Sequence, residues 1–236
     1  MTATTTLADL AATSLNAIRI LEQHGLDYCC GGKQPFEQAC LSRGLEPDAI
    51  LREIDEANAV GIADREWQTA PLGELVKHIV DTHHAYLKLD LPVLQARIEK
   101  VVSVHGARDP ENLPRLAAVF AGLRAELEMH LQKEEAILFP FIELYGRAEL
   151  QNRPIPRAPF GSIANPIAMM EREHAGAGDA LREIRRLTND LNPPSYACST
   201  VRALYEGLKV LEADLHVHIH LENNILFPRA IALEKR

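Results

Sequence analysis

Two eleven-residue segments carry the residue types best suited to chemistry. Residues 130–140 read His-Leu-Gln-Lys-Glu-Glu-Ala-Ile-Leu-Phe-Pro, and residues 218–228 read His-Ile-His-Leu-Glu-Asn-Asn-Ile-Leu-Phe-Pro. Both follow H-x-x-x-E-x-x-I-L-F-P, at an offset of 88 residues. Residues four apart on a helix share a face. Each copy therefore sets an imidazole beside a carboxylate, ahead of an apolar stretch and a terminating proline. Two such pairs facing each other would make a metal site. Imidazole plus carboxylate without thiolate fits non-haem iron, with manganese or zinc as competitors.

The elements that position these groups follow from steps of three and four. Around His130 the stripe is Phe120, Leu123, Leu127, His130, Glu134, Ile137 and Phe141. Around His218 it is Leu204, Leu208, Leu211, Leu215, His218, Glu222 and Ile225, and His174 interrupts a third stripe that includes Ile163, Ile167, Met170, Ala177 and Leu181. On the first long segment His84 shares a face with Val76, Val80, Leu87 and Leu91, whereas the His83 stripe turns polar at Asp90 and Arg97. His84 is therefore the better inward ligand. Four long helices are expected, over about 71–100, 113–146, 162–188 and 197–232, with a kink or break at Pro92. Each half of the set is a helix with a lone histidine followed by one with H-x-x-x-E, a duplicated hairpin with pseudo-two-fold character. Six N/O ligands exceed one tetrahedral zinc. They suit two metals, each with two histidines, bridged by two carboxylates.

The N-terminal part reads as a small helical domain over 1–58, with a helical pattern over 7–24 closed by His24-Gly25 and short helices near 34–43 and 47–58. Between its helices lies the tight turn Asp27-Tyr28-Cys29-Cys30-Gly31-Gly32-Lys33. Residues 59–70, with Gly61 and Trp67, read as a linker, and 71–236 as the four-helix bundle. The proline-rich stretch 147–161 reads as an unusually long loop.

Together these features resemble the di-iron proteins that repair iron–sulfur clusters (the RIC, YtfE or ScdA-like proteins), whose bundle is a hemerythrin-like domain. The resemblance is carried by the 27–33 turn, Pro71-Leu72 ahead of His84, both motif copies and Met170-Glu171-Arg172-Glu173-His174. It implies an all-α fold. It also implies two non-haem iron ions per chain, oxo- and carboxylate-bridged, held by His84, His130, Glu134, His174, His218 and Glu222. Cys29 and Cys30 would be redox or iron-transfer thiols. Damaged iron–sulfur proteins would be the clients, and nitric oxide or dioxygen the small ligands. Oxygen-carrying hemerythrins place a fifth histidine four residues beyond the one on the third bundle helix. Here that residue is Gly178, leaving iron positions open. Three readings follow: cluster repair with labile iron, scavenging or sensing of nitric oxide, and slow redox turnover of nitric oxide or peroxide. The first two are not enzymes.

The bulk composition is consistent with this. The 236 residues are 47% hydrophobic and 25% charged, with a formal net charge of −8, which argues against nucleic-acid or anionic-membrane partners. No apolar run nears the roughly 18 residues of a membrane span. With no secretory signal evident, a cytoplasmic monomer or homodimer with reduced cysteines is expected. Cys40 and Cys198 read as buried, inert thiols, and His24, His78 and His105 as helix-end or surface residues. His216 and His220 read as a solvated pair. Glu126 and Asp214, four residues before His130 and His218, could accept the second imidazole N–H, and Glu173 could line a path to the site.

Overall fold

The computed structural model describes residues 5–29, 31–60 and 67–235. Among them there is no strand, and the helices run in order α1 (Leu7–Ala11), α2 (Leu15–Gln23), α3 (Phe36–Ser42), α4 (Pro47–Val60), α5 (Leu72–Ile79), α6 (Ala85–His105), α7 (Asn112–Lys133), α8 (Phe139–Leu150), α9 (Ala164–Leu187), α10 (Ser199–His220) and α11 (Phe227–Glu234). Three π-helical segments join them in pairs: Val80–His84, Glu134–Leu138 and Leu221–Leu226. No helix among the described residues is long and apolar enough to cross a membrane. The chain divides into two compact units, one of Met1–Lys77, Phe141–Ala164 and His216–Arg236, the other of His78–Pro140 and Asn165–Leu215.

The second unit is a four-helix core. Leu87, Leu91, Leu94 and Ile98 of α6 pack with Leu116, Phe120 and Leu123 of α7, Leu181 and Ile184 of α9, and Leu204, Leu208 and Leu211 of α10. They follow the stripes read from the sequence, except that Ile137, expected on the His130 face, lies in the π segment after Glu134 and is 48% exposed, while Leu138 is buried. Truncating any one of the leucines to alanine would cost about 2–5 kcal/mol. Gly207 lets α10 approach α6, since a Cβ there would lie 2.7 Å from Leu94 Cδ2.

In the first unit, Leu7, Leu10, Leu21, Leu26, Tyr28, Phe36, Ile50 and Ile54 share a core with Ile219 of α10. The 7–24 pattern is two helices, not one. Thr6 and Asp9 form a capping box on α1, and the Ser14 side chain accepts from Ala17 N–H to start α2 afresh. Gly25 closes α2 at φ +65°, the left-handed conformation anticipated there. In the 27–33 turn, a Cβ on Gly32 would lie 2.5 Å from the Tyr28 carbonyl oxygen, so the close return of the chain requires glycine. Of the expected linker, Gly61 lies outside the described residues, while Arg229 donates to the carbonyls of Trp67 and Ala70, each at 2.7 Å.

Three proline expectations change. Pro140 and Pro228 terminate nothing, because each is the second residue of a helix, α8 or α11, that follows a π segment. The register change supplies the position where a missing N–H and a bulky ring are tolerated. Pro92 does not break α6, which runs unbroken to His105 with Leu91 and Leu94 buried on either side. The 147–161 loop is shorter at its start, since α8 extends to Leu150.

Candidate metal centre

His84, Glu134 and Glu222 each lie within a π-helical segment. Such widened turns occur often at functional sites, because they re-aim side chains that a plain α-helix would set elsewhere. Within the four-helix unit, His84 and Glu134 are 0% exposed and His130 and His174 are 2% exposed. His84 Nε2 lies 3.4 Å from Glu134 Oε2, and His130 Nε2 lies 3.3 Å from the same oxygen. His174 Nε2 is 3.0 Å from His130 Nε2. The ligand atoms of His130, Glu134 and His174 all lie within 4.8 Å of one another. In the other unit, His218 and Glu222, also buried, bring Nε2 and Oε1 to 2.9 Å.

The outer ring nitrogens decide what this cluster can do. His84 Nδ1 is 2.8 Å from Glu135 Oε1, and His130 Nδ1 is 2.9 Å from Glu173 Oε2. A carboxylate only accepts, so each Nδ1 carries the proton and donates it. In a neutral ring this leaves Nε2 as a lone pair aimed at the interior. Lone pairs of His84 and His130 then face the Glu134 carboxylate, acceptors turned toward an acceptor in a dry site. Burying them so is costly without a cation among them. The donor set of imidazole nitrogen and carboxylate oxygen fits a metal ion of the iron, manganese or zinc class.

Each outer carboxylate is itself held by a lysine one turn beyond its histidine's place in the chain. Lys88 Nζ donates to Glu135 at 2.6 and 2.8 Å, and Lys133 donates to Glu173. Burial pushes both carboxyls up, but the lysine and histidine hydrogen bonds outweigh it and hold them below the usual carboxylate range. Glu173 also lines an open cavity of about 400 Å³ with Glu126, Met129, Lys133, Met169 and Arg172. It thus has one edge on His130 and one on this open cavity.

Several sequence expectations shift. Glu126 is exposed, and Glu173 takes the His130 N–H instead. Asp214 bonds His83 Nδ1 at 2.8 Å, so His83 is buried and paired beside His84. Glu135 was missed. Its signal was faint, a second glutamate beside the motif's own and a lysine one turn after His84. His220 is not solvated but 1% exposed, edge-on to the Tyr28 ring at 5.5 Å, with burial lowering its pKa to about 4. His216 stays partly exposed near Glu22, and His24 bonds Glu53 at 2.9 Å. Cys40 is buried as expected, but Cys198 is exposed and His105 is largely buried against it. Cys29 is buried, its thiol 3.3 Å from Asp27 Oδ1, and Cys30 lies outside the described residues.

Residues 75–230 match the family described as the hemerythrin HHE cation binding domain, and residues 3–58 match a domain of unknown function, DUF542. The chain is 40% identical over 230 residues to the iron–sulfur cluster repair protein YtfE of Enterobacter sp. (strain 638), covering 97% of each. It is 39% identical over 230 residues to the protein of that name in Cronobacter sakazakii, covering 97% of each. It is 38% identical over 226 residues to that of Yersinia pseudotuberculosis, covering 95% of this chain and 96% of the relative. The chain belongs to the iron–sulfur cluster repair family.

Within this family's hemerythrin-like domain, the buried histidine and glutamate side chains sit in a cation-binding fold, which matches the chemistry their lone pairs demand. Gly178, one turn beyond His174 on α9, is buried and adds no donor. The all-α reading and the family resemblance drawn from the motifs therefore hold.

Proposed function

We propose that this protein restores iron–sulfur clusters damaged by nitrosative or oxidative stress, acting in the cytoplasm with iron as its metal. His84, His130, Glu134, His174, His218 and Glu222 would hold two iron ions per chain, with Glu134 and Glu222 as the shared carboxylates. One observation carries the reading: in the buried cluster, ring lone pairs face the Glu134 carboxylate, and their outer protons are fixed by Glu135 and Glu173. The relatives' shared name supports the choice of repair. Iron in such a site would supply an exchangeable, redox-active Lewis acid. The protein's own part is to orient the rings, exclude water through the leucine core, and keep the Nδ1 protons on Glu135 and Glu173. Lys88 and Lys133 hold those carboxylates in place, and Glu173 would be the group through which the cavity outside it meets the site. Cys29 and Cys30 belong to the proposal as redox or transfer thiols.

Metal analysis of protein purified without added metal should give two irons per chain. His130→Ala or Glu222→Ala should lower that content sharply, and a variant retaining both irons would remove its residue from the ligand set. Iron-loaded protein mixed with an inactivated cluster enzyme should restore activity. No recovery at stoichiometric protein would sink the repair reading. A second reading, binding of nitric oxide to scavenge or sense it, is favoured by Gly178, which leaves donor positions unfilled. Reduced protein titrated with nitric oxide would then develop iron-nitrosyl bands, and their absence would discard that reading.

A further inference from the structure

Cys198 lies outside the histidine cluster, and its surroundings are built for an anionic sulfur. It immediately precedes α10, a helix of 22 residues, at the end where backbone N–H groups lack helical partners. The backbone of Val201 and Thr200 in that first turn favours the ionised form of the sulfur. A hydrogen-bond partner comes from another helix, since His105, the last residue of α6, sets Nε2 3.5 Å from Sγ. The imidazole is 91% buried, and its Nδ1 is buried without a hydrogen-bond partner. A neutral ring with its proton on Nε2 donates to the sulfur and leaves Nδ1 as a vacant lone pair. That is less costly than burying an orphaned N–H. Cys198 is the ring's one hydrogen-bond partner among the described residues, so the imidazole is oriented for the thiol.

The neighbours complete the picture. The Tyr196 ring lies 5.6 Å from that of His105, and the Arg108 guanidinium stands over Tyr196 at 5.7 Å. Asp109 is engaged by the backbone and side chain of Asn112. Around the exposed thiol, then, are the first turn of a long helix and the edge of one buried imidazole. Together the backbone of that turn and His105 lower the thiol pKa from 9.0 to about 7. His105 ends the 21-residue α6 that begins just after His84, about 30 Å along the axis, so this pair is separate from the metal cluster.

We propose that Cys198, activated by His105 and the first turn of α10, is a reactive surface thiolate that forms mixed disulfides with small disulfides of the glutathione class. The thiolate attacks one sulfur of the disulfide, the new Sγ–S bond forms as the old S–S bond breaks, and the other half leaves as a thiolate. The incoming disulfide is itself the oxidant, reduced by two electrons as its second half leaves, and no other is consumed. A thiol poised at ambient pH combines high thiolate fraction with retained nucleophilicity.

The test uses the full-length, iron-loaded protein with oxidised glutathione, following Cys198 by peptide mass across pH 5–9. The Cys198 rate should level off with an inflection near 7 and exceed that of an ordinary cysteine peptide at pH 7 by about sixfold. His105→Phe should move the inflection upward and lose much of that advantage, while Cys198→Ser should abolish the adduct at this peptide. An inflection at the ordinary value in the unaltered protein would overturn the proposal, and so would adducts at the other cysteines with Cys198 left free. That measurement needs no variant, so it stands even if His105→Phe fails to fold. An unshifted profile in a folded His105→Phe protein would remove His105 from the role.

Discussion

The two copies of H-x-x-x-E-x-x-I-L-F-P share their chemistry-bearing residues and differ in what surrounds them. In the first copy the position after the glutamate is Glu135, which holds His84 Nδ1, and the position before it is Lys133, which holds Glu173. In the second copy those positions are Asn223 and Leu221, while His220 replaces Gln132 and Asn224 replaces Ala136. Asn224 Nδ2 lies 3.2 Å from the Tyr28 carbonyl oxygen and 3.0 Å from His220 Nδ1. The first copy spends its variable positions on charged groups that fix metal-site rings. The second spends them on neutral groups that seat the 27–33 turn. Duplication preserved the donors, and divergence assigned each copy its own supporting task.

Substitutions that remove the charged supports of the first copy should give the largest effect. Glu173→Ala or Glu135→Ala takes the acceptor from a buried imidazole N–H and frees the ring to turn. Metal affinity, measured by competition with a chelator, should fall about 10–100-fold. Glu173→Gln keeps an acceptor oxygen and should recover part of the loss. Equal iron affinity in Glu173→Ala and the unaltered protein would remove the contrast with the second copy.

The comparison also explains what was legible in the sequence. The apolar stripes around His130, His174 and His218 were plain because helix packing obliges every third or fourth residue to be apolar, and the four-helix core follows them. The choice of His84 over His83 came from the same periodicity. Periodicity could not reveal the π segments, because an extra residue in one turn depends on side-chain demands at the site. With them went the fate of Pro140 and Pro228. Nor could it place Glu135, Glu173 or Asp214, whose partners lie 51, 43 and 131 residues away. His220 was misread because its α10 face looks polar until Tyr28 covers it. Cys198 was misread because a sulfur's exposure depends on where a helix starts.

A smaller effect should separate the second copy from the first. Asn224→Ala removes the hydrogen bond to the Tyr28 carbonyl and a neighbour of His220, costing about 1 kcal/mol of stability. Iron content should stay unchanged, because this residue supports the turn and not a ligand ring. Chemical denaturation alongside metal analysis reads both. A variant that lost iron without losing stability would reverse the assignment of tasks.

The smallest effect concerns the helices that follow the two copies. Tyr145 of α8 donates to Glu234 Oε1 of α11 at 3.0 Å, and Ile163 N–H donates to the same oxygen at 2.8 Å. Ser162 donates to the other oxygen. Burial pushes the Glu234 carboxyl up, but these three donors outweigh it and hold it below the ordinary value. A depressed carboxyl binds its proton less readily in the folded state than in the unfolded one. Its contribution is therefore fully present above the ordinary carboxylate range and is lost as pH falls through the folded value. Because the group is only partly buried, solvent screens the interaction and the gain is under about 1 kcal/mol. Thermal melts of the protein and of Glu234→Gln should differ at pH 7 and converge below about pH 4. A gap that persisted unchanged into acid would mean that the amide costs packing, and that the ionised carboxylate does not link the two trailing helices.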